Sequence, residues 1–158
     1  MKGLLVVLAF GMTAGPGCTS DSPADPDENI PPSDEAGIGA WVDSGLYLDW
    51  NCEPDPSPAT GVSPHGTRRI CHSPLVEADR DGTGQWPVGA TLVKEQYNGA
   101  GELAAISLES RVNAQAGAPG WLYWRRAGTA VSNYGVGEPF CTGCHAGATR
   151  DFVFVLAP

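Results

Sequence analysis

Apolar and polar residues alternate over several short segments in the second half of the chain, which is the pattern of strands that bury one face. Residues 91–97, 103–112 and 121–125 alternate in this way, and an Asn-Gly turn separates the first two segments. A continuous apolar run at 152–156 predicts a fourth strand. Together these segments predict a mainly antiparallel β-sheet.

Helical spacing appears before the strands. Apolar residues recur every three or four positions between residues 34 and 48, behind an aspartate that can cap a helix. A Ser-Pro pair at 73–74 predicts a short helix that ends near Asp79, whereas the four prolines of residues 51–66 predict a loop. A chain of 158 residues without an internal repeat is enough for one domain. The predicted fold class is α+β, a mainly antiparallel β-sheet with a few short helices.

The first 17 residues predict an export signal. Lys2 supplies a positive charge, and residues 4–10 form an apolar core that is too short to span a bilayer. The following Gly-Pro-Gly-Cys resembles a bacterial lipoprotein signal, in which Cys18 becomes the lipidated first residue of the mature protein. The alternative is an ordinary cleaved signal that removes Cys18 or leaves it free. Both predict an oxidising compartment, and lipidation predicts anchoring to the outer membrane on its periplasmic side.

Residues 18–36 predict a disordered acidic tether. Within 19–35 the chain carries six acidic residues and no basic one, among prolines and serines, so it cannot bury enough apolar surface to fold. The whole chain has a net charge of −9, but the domain at 37–158 holds 12 acidic against 8 basic residues. This balance argues against nucleic acid as a partner. Because no apolar run is long enough to span a bilayer, the lipid is the only predicted membrane contact.

The strongest chemical signal is the sequence Cys-Thr-Gly-Cys-His at residues 141–145. Two thiols one helical turn apart can both reach the vinyl groups of one haem, and the adjacent His145 then lies under the iron as an axial ligand. The alternatives are a redox dithiol, which lacks its usual βαβ context, and half of a zinc site, which lacks a second C-x-x-C. The pattern predicts one covalent haem c held by Cys141, Cys144 and His145, with the sheet and helices packed around it.

The other two cysteines of the domain, Cys52 and Cys71, are predicted to form a disulfide in an oxidising compartment. Such a bond would close a loop over the proline-rich segment and stabilise the fold. The alternative is a pair of buried free thiols.

The sixth coordination position of such a haem is predicted to be open. Both methionines, Met1 and Met12, lie in the signal, which excludes the His/Met ligation of many electron carriers. Bis-His ligation would need His65 or His72, and His72 is predicted to lie on the surface. An open position binds small molecules, and NO or hydroxylamine fits it.

Several segments in order resemble the cytochrome P-460 family of exported c-type haem proteins, over most of residues 37–158. Besides the haem motif, the resemblance rests on His-Gly-Thr-Arg at 65–68, Trp-Pro-Val-Gly-Ala-Thr-Leu-Val-Lys-Glu at 86–95, Ile-Ser-Leu-Glu-Ser at 106–110, Gly-Trp-Leu-Tyr-Trp at 120–124 and Asp-Phe-Val-Phe at 151–154. It implies an antiparallel β fold and a homodimer.

The resemblance also implies roles for individual residues. Lys94 matches the lysine that is bonded to a haem meso carbon, Glu109 the carboxylate that relays protons during hydroxylamine oxidation, and Arg68 a pocket arginine, with Arg69 as its rival. Lys94 is the only lysine after the signal, and burial beside an apolar ring lowers the pKa of a lysine. The alternatives are a solvated strand lysine, an exposed glutamate and a surface arginine. His65 departs from the family, which has an apolar residue there, and can hydrogen-bond a ligand or bind iron.

Three functions follow from this predicted site. The favoured one is an enzyme that oxidises hydroxylamine, with NO as a further substrate, to nitrogen oxides and passes the electrons to an external acceptor such as a soluble cytochrome. The second is a haem protein that binds NO without turnover, as in the related cytochrome c′-beta branch. The third is an electron-transfer cytochrome in which His65 is the sixth ligand.

Overall fold

The domain is built on one antiparallel sheet. A computed structural model describes residues 29–59, 63–154, 156 and 157. The strands in these ranges are β1 (Asn51–Cys52), β2 (Ser57–Pro58), β3 (Thr67–His72), β4 (Thr91–Tyr97), β5 (Leu103–Arg111), β6 (Trp121–Ala127) and β7 (Ala130–Val136). They lie in the order β1-β3-β4-β5-β6-β7, and β2 also pairs with β3. The helices are α1 (Glu35–Ser44), α2 (Pro74–Ala78) and α3 (Pro139–His145).

The predicted α+β class, with a mainly antiparallel sheet and a few short helices, is confirmed. The predicted strands 91–97, 103–112 and 121–125 correspond to β4, β5 and β6, and the predicted helix at 73–79 corresponds to α2. The predicted signal at 1–17 and Cys18 lie outside the described residues.

The β4–β5 hairpin fixes which side chains share a face. Asn98 shapes its turn, because its side-chain oxygen accepts two backbone N–H groups at 2.9 and 3.0 Å. The resulting register pairs Leu92 with Glu109 and Lys94 with Ser107. Directly opposed residues point to the same side of a sheet. These four side chains therefore lie on one face, which we call the site face.

Each face of the sheet is covered by its own layer. Helix α1 packs on the face opposite the site face, the α1 face, around a cluster of buried residues: Ile38, Trp41, Val42, Tyr47, Trp50, Cys71, Val93, Ile106, Leu108, Leu122 and Trp124. The site face is covered by a second cluster: Ile70, Val76, Trp86, Ala90, Leu92, Trp121, Tyr123 and Val153. Successive residues of β6 alternate between the two clusters, as the geometry of a strand requires. The centre of the sheet is therefore buried on both sides.

Helix α1 is shorter than the predicted 34–48. Asp34 caps its first turn by accepting a backbone N–H at 2.8 Å. Gly45 ends the helix with φ 73°, a left-handed conformation that glycine adopts without a steric penalty. The chain continues as a separate 3-10 helix at Leu46–Asp49.

The folded domain begins before the predicted boundary at residue 37. Helix α1 starts at Glu35 because Asp34 caps it, and the side chain of Asn29 donates to the Leu46 carbonyl at 3.2 Å. The remainder of the predicted tether, residues 18–28, lies outside the described residues.

The sequence pattern does not predict β3 or β7, and it predicts a loop at 51–66 where the short strands β1 and β2 lie. Its prediction of a strand at 152–156 is also wrong. Neither β3 nor β7 alternates clearly, and each is a strand because it pairs with β4 or β6. Near the C-terminus, Asp151 and Phe152 instead adopt φ 38° and 69° in a turn. The Asp151 carboxylate accepts the Trp86 N–H at 3.0 Å, which holds this segment out of an extended conformation. Val155 lies outside the described residues.

His72 is buried, and the prediction that it lies on the surface is wrong. Strand β3 carries its side chain into the interior, where it is fully inaccessible to solvent. Its Nε2 lies 3.0 Å from the Arg80 guanidinium and 3.3 Å from the Ala157 carbonyl oxygen. The ring therefore joins the end of the chain to the sheet.

Cys52 and Cys71 lie opposite each other on β1 and β3 at disulfide distance, with Cα atoms 4.0 Å apart, as predicted. The two cysteines are 19 positions apart in the sequence. Replacing both by alanine is expected to lower the free energy of unfolding by roughly 3 kcal/mol, because the unfolded chain regains the entropy of that loop. Denaturant unfolding of the oxidised proteins measures the difference.

Reduction provides the control for this disulfide prediction. Wild-type protein in a strong thiol reductant should lose about the same stability, and the alanine variant should not respond to the reductant. Equal stability of the variant and the oxidised wild type would contradict the prediction.

Candidate functional site

A cavity of about 370 Å³ lies on the site face, bounded by β4, β5 and β6 and by helix α3. Its volume is within the usual range of small-molecule pockets, about 300–1,000 Å³. The lining includes six residues that the sequence assigns to a haem site: His65, Lys94, Glu109, Cys141, Cys144 and His145. The other lining residues are Pro64, Leu92, Ser107, Leu108, Tyr123, Trp124, Arg125, Ser132, Asn133 and Phe140.

Helix α3 presents the two thiols and the histidine to this cavity. Glu138 caps the helix by accepting the Cys141 N–H at 2.7 Å, and a proline occupies its first turn. Cys141 and Cys144 are three residues apart and so lie on the same side of the helix. His145 is the last helical residue. A hydrogen bond of 3.4 Å from Asn133 to Glu138 joins the helix to β7.

The His145 ring is held at one nitrogen and available at the other. Nδ1 lies 2.8 Å from the Phe152 carbonyl oxygen and 2.8 Å from Glu109 Oε2. Nε2 makes no hydrogen bond with any described residue. The rings of Tyr123 and Phe154 pack edge-on, with centroids 5.4 and 5.5 Å away. Burial opposes protonation of His145, but the adjacent Glu109 carboxylate raises its pKa above the ordinary value.

Glu109 is a buried carboxylate among positive charges. Burial alone raises its pKa, but the charge of His145, which lies 2.8 Å away, followed by the charges of Lys94 and His65, lowers the pKa below the usual value. Oε2 is buried, and its contact with His145 does not have hydrogen-bond geometry. Glu109 is therefore an ionised group with unused acceptor capacity in the cavity wall.

Lys94 lies on β4 between Ile70 of β3 and Ser107 of β5, with its side chain partly buried at the cavity. Burial lowers the pKa of its amine. The charge of Arg68 lowers it further, whereas the acidic groups nearby, Glu109 foremost, raise it. Burial is the largest of these effects, so the environment favours the neutral amine, the form that can act as a nucleophile.

His65 faces His145 inside the same cavity. The centroids of the two rings are 6.4 Å apart, with an angle of 81° between the planes. Burial lowers the pKa of His65 to about 4, and the charges of Lys94 and His145 act in the same direction. Its Nδ1 is buried and has no hydrogen-bond partner among the described residues. His65 is therefore a neutral imidazole with an unsatisfied ring nitrogen.

Neither arginine of the Arg-Arg pair lines the cavity in the described part of the chain. Arg68 is on the site face, but its Nη1 donates to Ser57 Oγ at 2.6 Å and to the Ser57 carbonyl at 3.3 Å. Arg69 is on the α1 face and binds Glu95 with two hydrogen bonds of 2.7 and 3.0 Å. This contact excludes Arg69 as the rival pocket arginine.

The residues present fit a covalently bound haem c. Two thiols one helical turn apart and an imidazole with a free Nε2 form the donor set that thioether attachment and axial ligation need. Some of the lining residues carry buried polar atoms, His65 Nδ1 and Tyr123 Oη among them, that have no hydrogen-bond partner in the described ranges and can be satisfied by a polar ligand.

The same geometry argues against a redox dithiol. Burial and the neighbouring Glu138 carboxylate raise the pKa of the Cys141 thiol to about 12. Catalytic dithiols need the opposite, a pKa lowered towards neutrality.

Tyr123 is a cavity residue that the sequence analysis misses, although a signal for it exists. The run Trp-Leu-Tyr-Trp is recognisable as a strand, but its partner is not. In the structure Tyr123 is directly opposite Glu109. Once that register is known, alternation alone places the phenol on the site face.

Comparisons with family models, curated proteins and solved structures found no match for this chain. The resemblance to the cytochrome P-460 family therefore stays a prediction, and a functional assignment depends on the residues of the chain itself. None of the helices in the described ranges is both long and apolar enough to cross a membrane.

Proposed function

We propose that this chain is an exported c-type haem protein that oxidises hydroxylamine to nitrogen oxides. Cys141 and Cys144 would hold the haem as thioethers, and His145 would bind its iron through Nε2. The observation that supports this most is the meeting of both thiols and the free imidazole nitrogen at one cavity. Bound there, the group supplies a redox-active iron that takes electrons from the substrate and passes them to an external acceptor, such as a soluble cytochrome.

The polar atoms of the cavity support a small hydrogen-bonding substrate. Hydroxylamine carries N–H and O–H donors, and the lining offers acceptors on Glu109 and His65 that have no hydrogen-bond partner in the part of the chain that the structure describes. Oxidation of hydroxylamine releases protons as well as electrons. We assign proton acceptance to the ionised Glu109 carboxylate, which lines the cavity beside His145. His65 and Tyr123 would orient the substrate.

Lys94 is assigned the second covalent bond to the macrocycle that the family resemblance implies. Its environment favours the neutral amine, and Arg68, held by Ser57, adds to that effect through its charge. Lys94→Arg is expected to abolish the second bond while leaving the thioethers intact, since arginine stays protonated and is a poor nucleophile. A peptide map of the matured variant, with the wild type beside it, measures this. A second haem-bound peptide in the variant would contradict the assignment.

The direct test of the proposed activity is hydroxylamine-dependent reduction of an artificial electron acceptor by the purified ferric protein. We expect turnover that disappears when the haem is absent. No turnover by fully loaded protein would contradict the proposal. If the same sample bound NO tightly, it would favour the ligand-binding function of the cytochrome c′-beta type.

One observation favours a second candidate, an electron carrier with two histidine ligands. Imidazoles bound on opposite sides of one metal ion at about 2.0–2.1 Å have ring centres roughly 6.3 Å apart. The separation of His65 and His145 is 6.4 Å. Such a protein would give a low-spin, six-coordinate spectrum that becomes high-spin in His65→Ala. A high-spin spectrum of the wild type would exclude this candidate and support an open site.

The cellular setting belongs to the proposal as well. The predicted lipid on Cys18 would tether the domain to the outer membrane on the periplasmic side, without other membrane contact. The Cys52–Cys71 pair supports an oxidising compartment, because such bonds are rare in reducing cytosol. A homodimer is proposed from the family resemblance alone.

A further inference from the structure

We infer that the turn Arg150–Val153 tunes the donor strength of His145 by deciding which of two acceptors takes its single Nδ1 proton. The inference rests on the proposed haem site and adds Asp151 and Arg111 to it as positioning residues.

Two acceptors compete for one N–H group. The Phe152 carbonyl oxygen and Glu109 Oε2 each lie 2.8 Å from His145 Nδ1. Only the carbonyl has hydrogen-bond geometry, and Oε2 has no hydrogen-bond partner among the described residues. An imidazole that binds a metal through Nε2 carries its proton on Nδ1, and the acceptor of that proton sets the basicity of the ring. The neutral carbonyl is the weaker of the two acceptors.

The carbonyl reaches His145 only because the backbone turns in an unfavourable conformation. The Val153 N–H donates to the Arg150 carbonyl at 2.9 Å and closes the turn. Its two central residues, Asp151 and Phe152, have φ 38° and 69°. This left-handed region favours glycine, and a bulky residue stays there only where its surroundings hold it.

The surroundings that hold the turn are two contacts to the Asp151 carboxylate. Oδ1 accepts from Arg111 Nη1 at 3.1 Å, and Oδ2 accepts the Trp86 backbone N–H at 3.0 Å. Arg111 is itself fixed, because it is 1% exposed and its Nη2 donates to the Gln115 carbonyl at 2.7 Å. Strand β5 and the segment before β4 therefore both hold the turn that orients His145.

If the two contacts to the Asp151 carboxylate are weakened, the Nδ1–H of His145 can donate to Glu109 instead of to the Phe152 carbonyl. A carboxylate is the stronger acceptor, so His145 becomes a stronger donor to the iron. In the haem-loaded protein the bond from Nε2 to iron would tighten, and the ferric state would be stabilised relative to the ferrous state. The intact turn thus keeps His145 a moderate donor to the iron, although the Glu109 carboxylate lies beside its ring.

Asp151→Asn in the matured haem protein tests this. The substitution keeps the volume of the side chain but replaces one acceptor oxygen with an NH₂ group. Resonance Raman of the ferrous protein should show the iron–histidine stretch at higher frequency, and the midpoint potential should fall. If a sixth ligand suppresses the Raman band, the potential alone reports the effect. Adding Glu109→Gln should reverse both shifts, to a frequency no higher than that of the wild type.

Two further variants keep the test decisive. Glu95→Gln removes a buried carboxylate that binds Arg69 on the α1 face, so it should cost stability without moving either signal. Phe152→Gly relieves the positive φ and keeps the carbonyl, so it should fold, retain the turn and leave both signals close to those of the wild type. Unchanged signals in folded Asp151→Asn, or a shift to lower frequency, would overturn the inference and leave the haem site standing. A wild type that carries no haem would overturn the proposed function itself, and the inference with it.

Discussion

Replacing both Cys141 and Cys144 with serine, in a chain that also carries Lys94→Arg, is expected to leave the exported protein with no covalently attached haem. The two residues are the free thiols of the described part of the chain, and helix α3 presents both to the cavity. A serine hydroxyl does not form the thioether, and arginine at position 94 does not form the proposed second bond, so His145 would be left as the only bond, and that bond is reversible. Extraction with acidified organic solvent measures the effect. Wild-type haem should stay with the protein, and haem bound to the variant should be removed completely.

The disulfide variant is the matched control for this experiment. Replacing Cys52 and Cys71 removes the same number of sulfur atoms from the other edge of the sheet, so its haem should resist extraction like that of the wild type. Haem that stays attached to the Cys141/Cys144 variant would contradict the assignment.

Glu109→Gln is expected to lower kcat for hydroxylamine oxidation by about 10²–10⁴-fold, the usual contribution of a positioned proton acceptor. Glutamine keeps the size of the side chain but cannot take a proton at neutral pH. Glu95→Gln is the control, because that carboxylate is equally buried but lies on the α1 face, bound to Arg69 and Tyr47. A change of less than about twofold in Glu109→Gln, with normal haem content, would contradict the assigned role.

The pH profile provides a second check on Glu109. Its positive neighbours hold the carboxyl pKa below the usual value, so the carboxylate persists when the pH falls through the ordinary glutamate range. Activity that depends on the ionised form should therefore be present above this lowered pKa and fall only at lower pH. The pH profile of Glu109→Gln should not show this fall in activity at low pH.

The elements that the sequence predicts well are those whose local signals agree. Strand β4, the Asn98 turn and β5 combine clear alternation with turn chemistry, and they place Lys94 on the same face as Leu92. The motif at 141–145 is recognisable because its chemistry depends on spacing along one helical turn. The shared face of Lys94 and Glu109 follows from this hairpin.

What the sequence leaves open depends on long-range contacts. Strand β7 is defined by its pairing with β6, and its own residues are mostly exposed. The turn at Asp151 depends on Arg111, 40 positions earlier in the chain, and no local pattern predicts that contact. The contact between Glu109 and His145 likewise requires the docking of α3 on the sheet. Local patterns therefore predict which residues belong to the candidate site better than they predict the contacts between those residues.

The most direct measurement of the central claim is a tryptic peptide map, with mass analysis, of protein matured by export. Cleavage at Arg126 and Arg150 releases residues 127–150, which contain both thiols and His145. We predict that this peptide carries one haem and, where Lys94 is also bonded, stays joined to residues 81–111, since a modified Lys94 is not cleaved. A peptide 127–150 with no haem and both thiols free for alkylation would contradict the account.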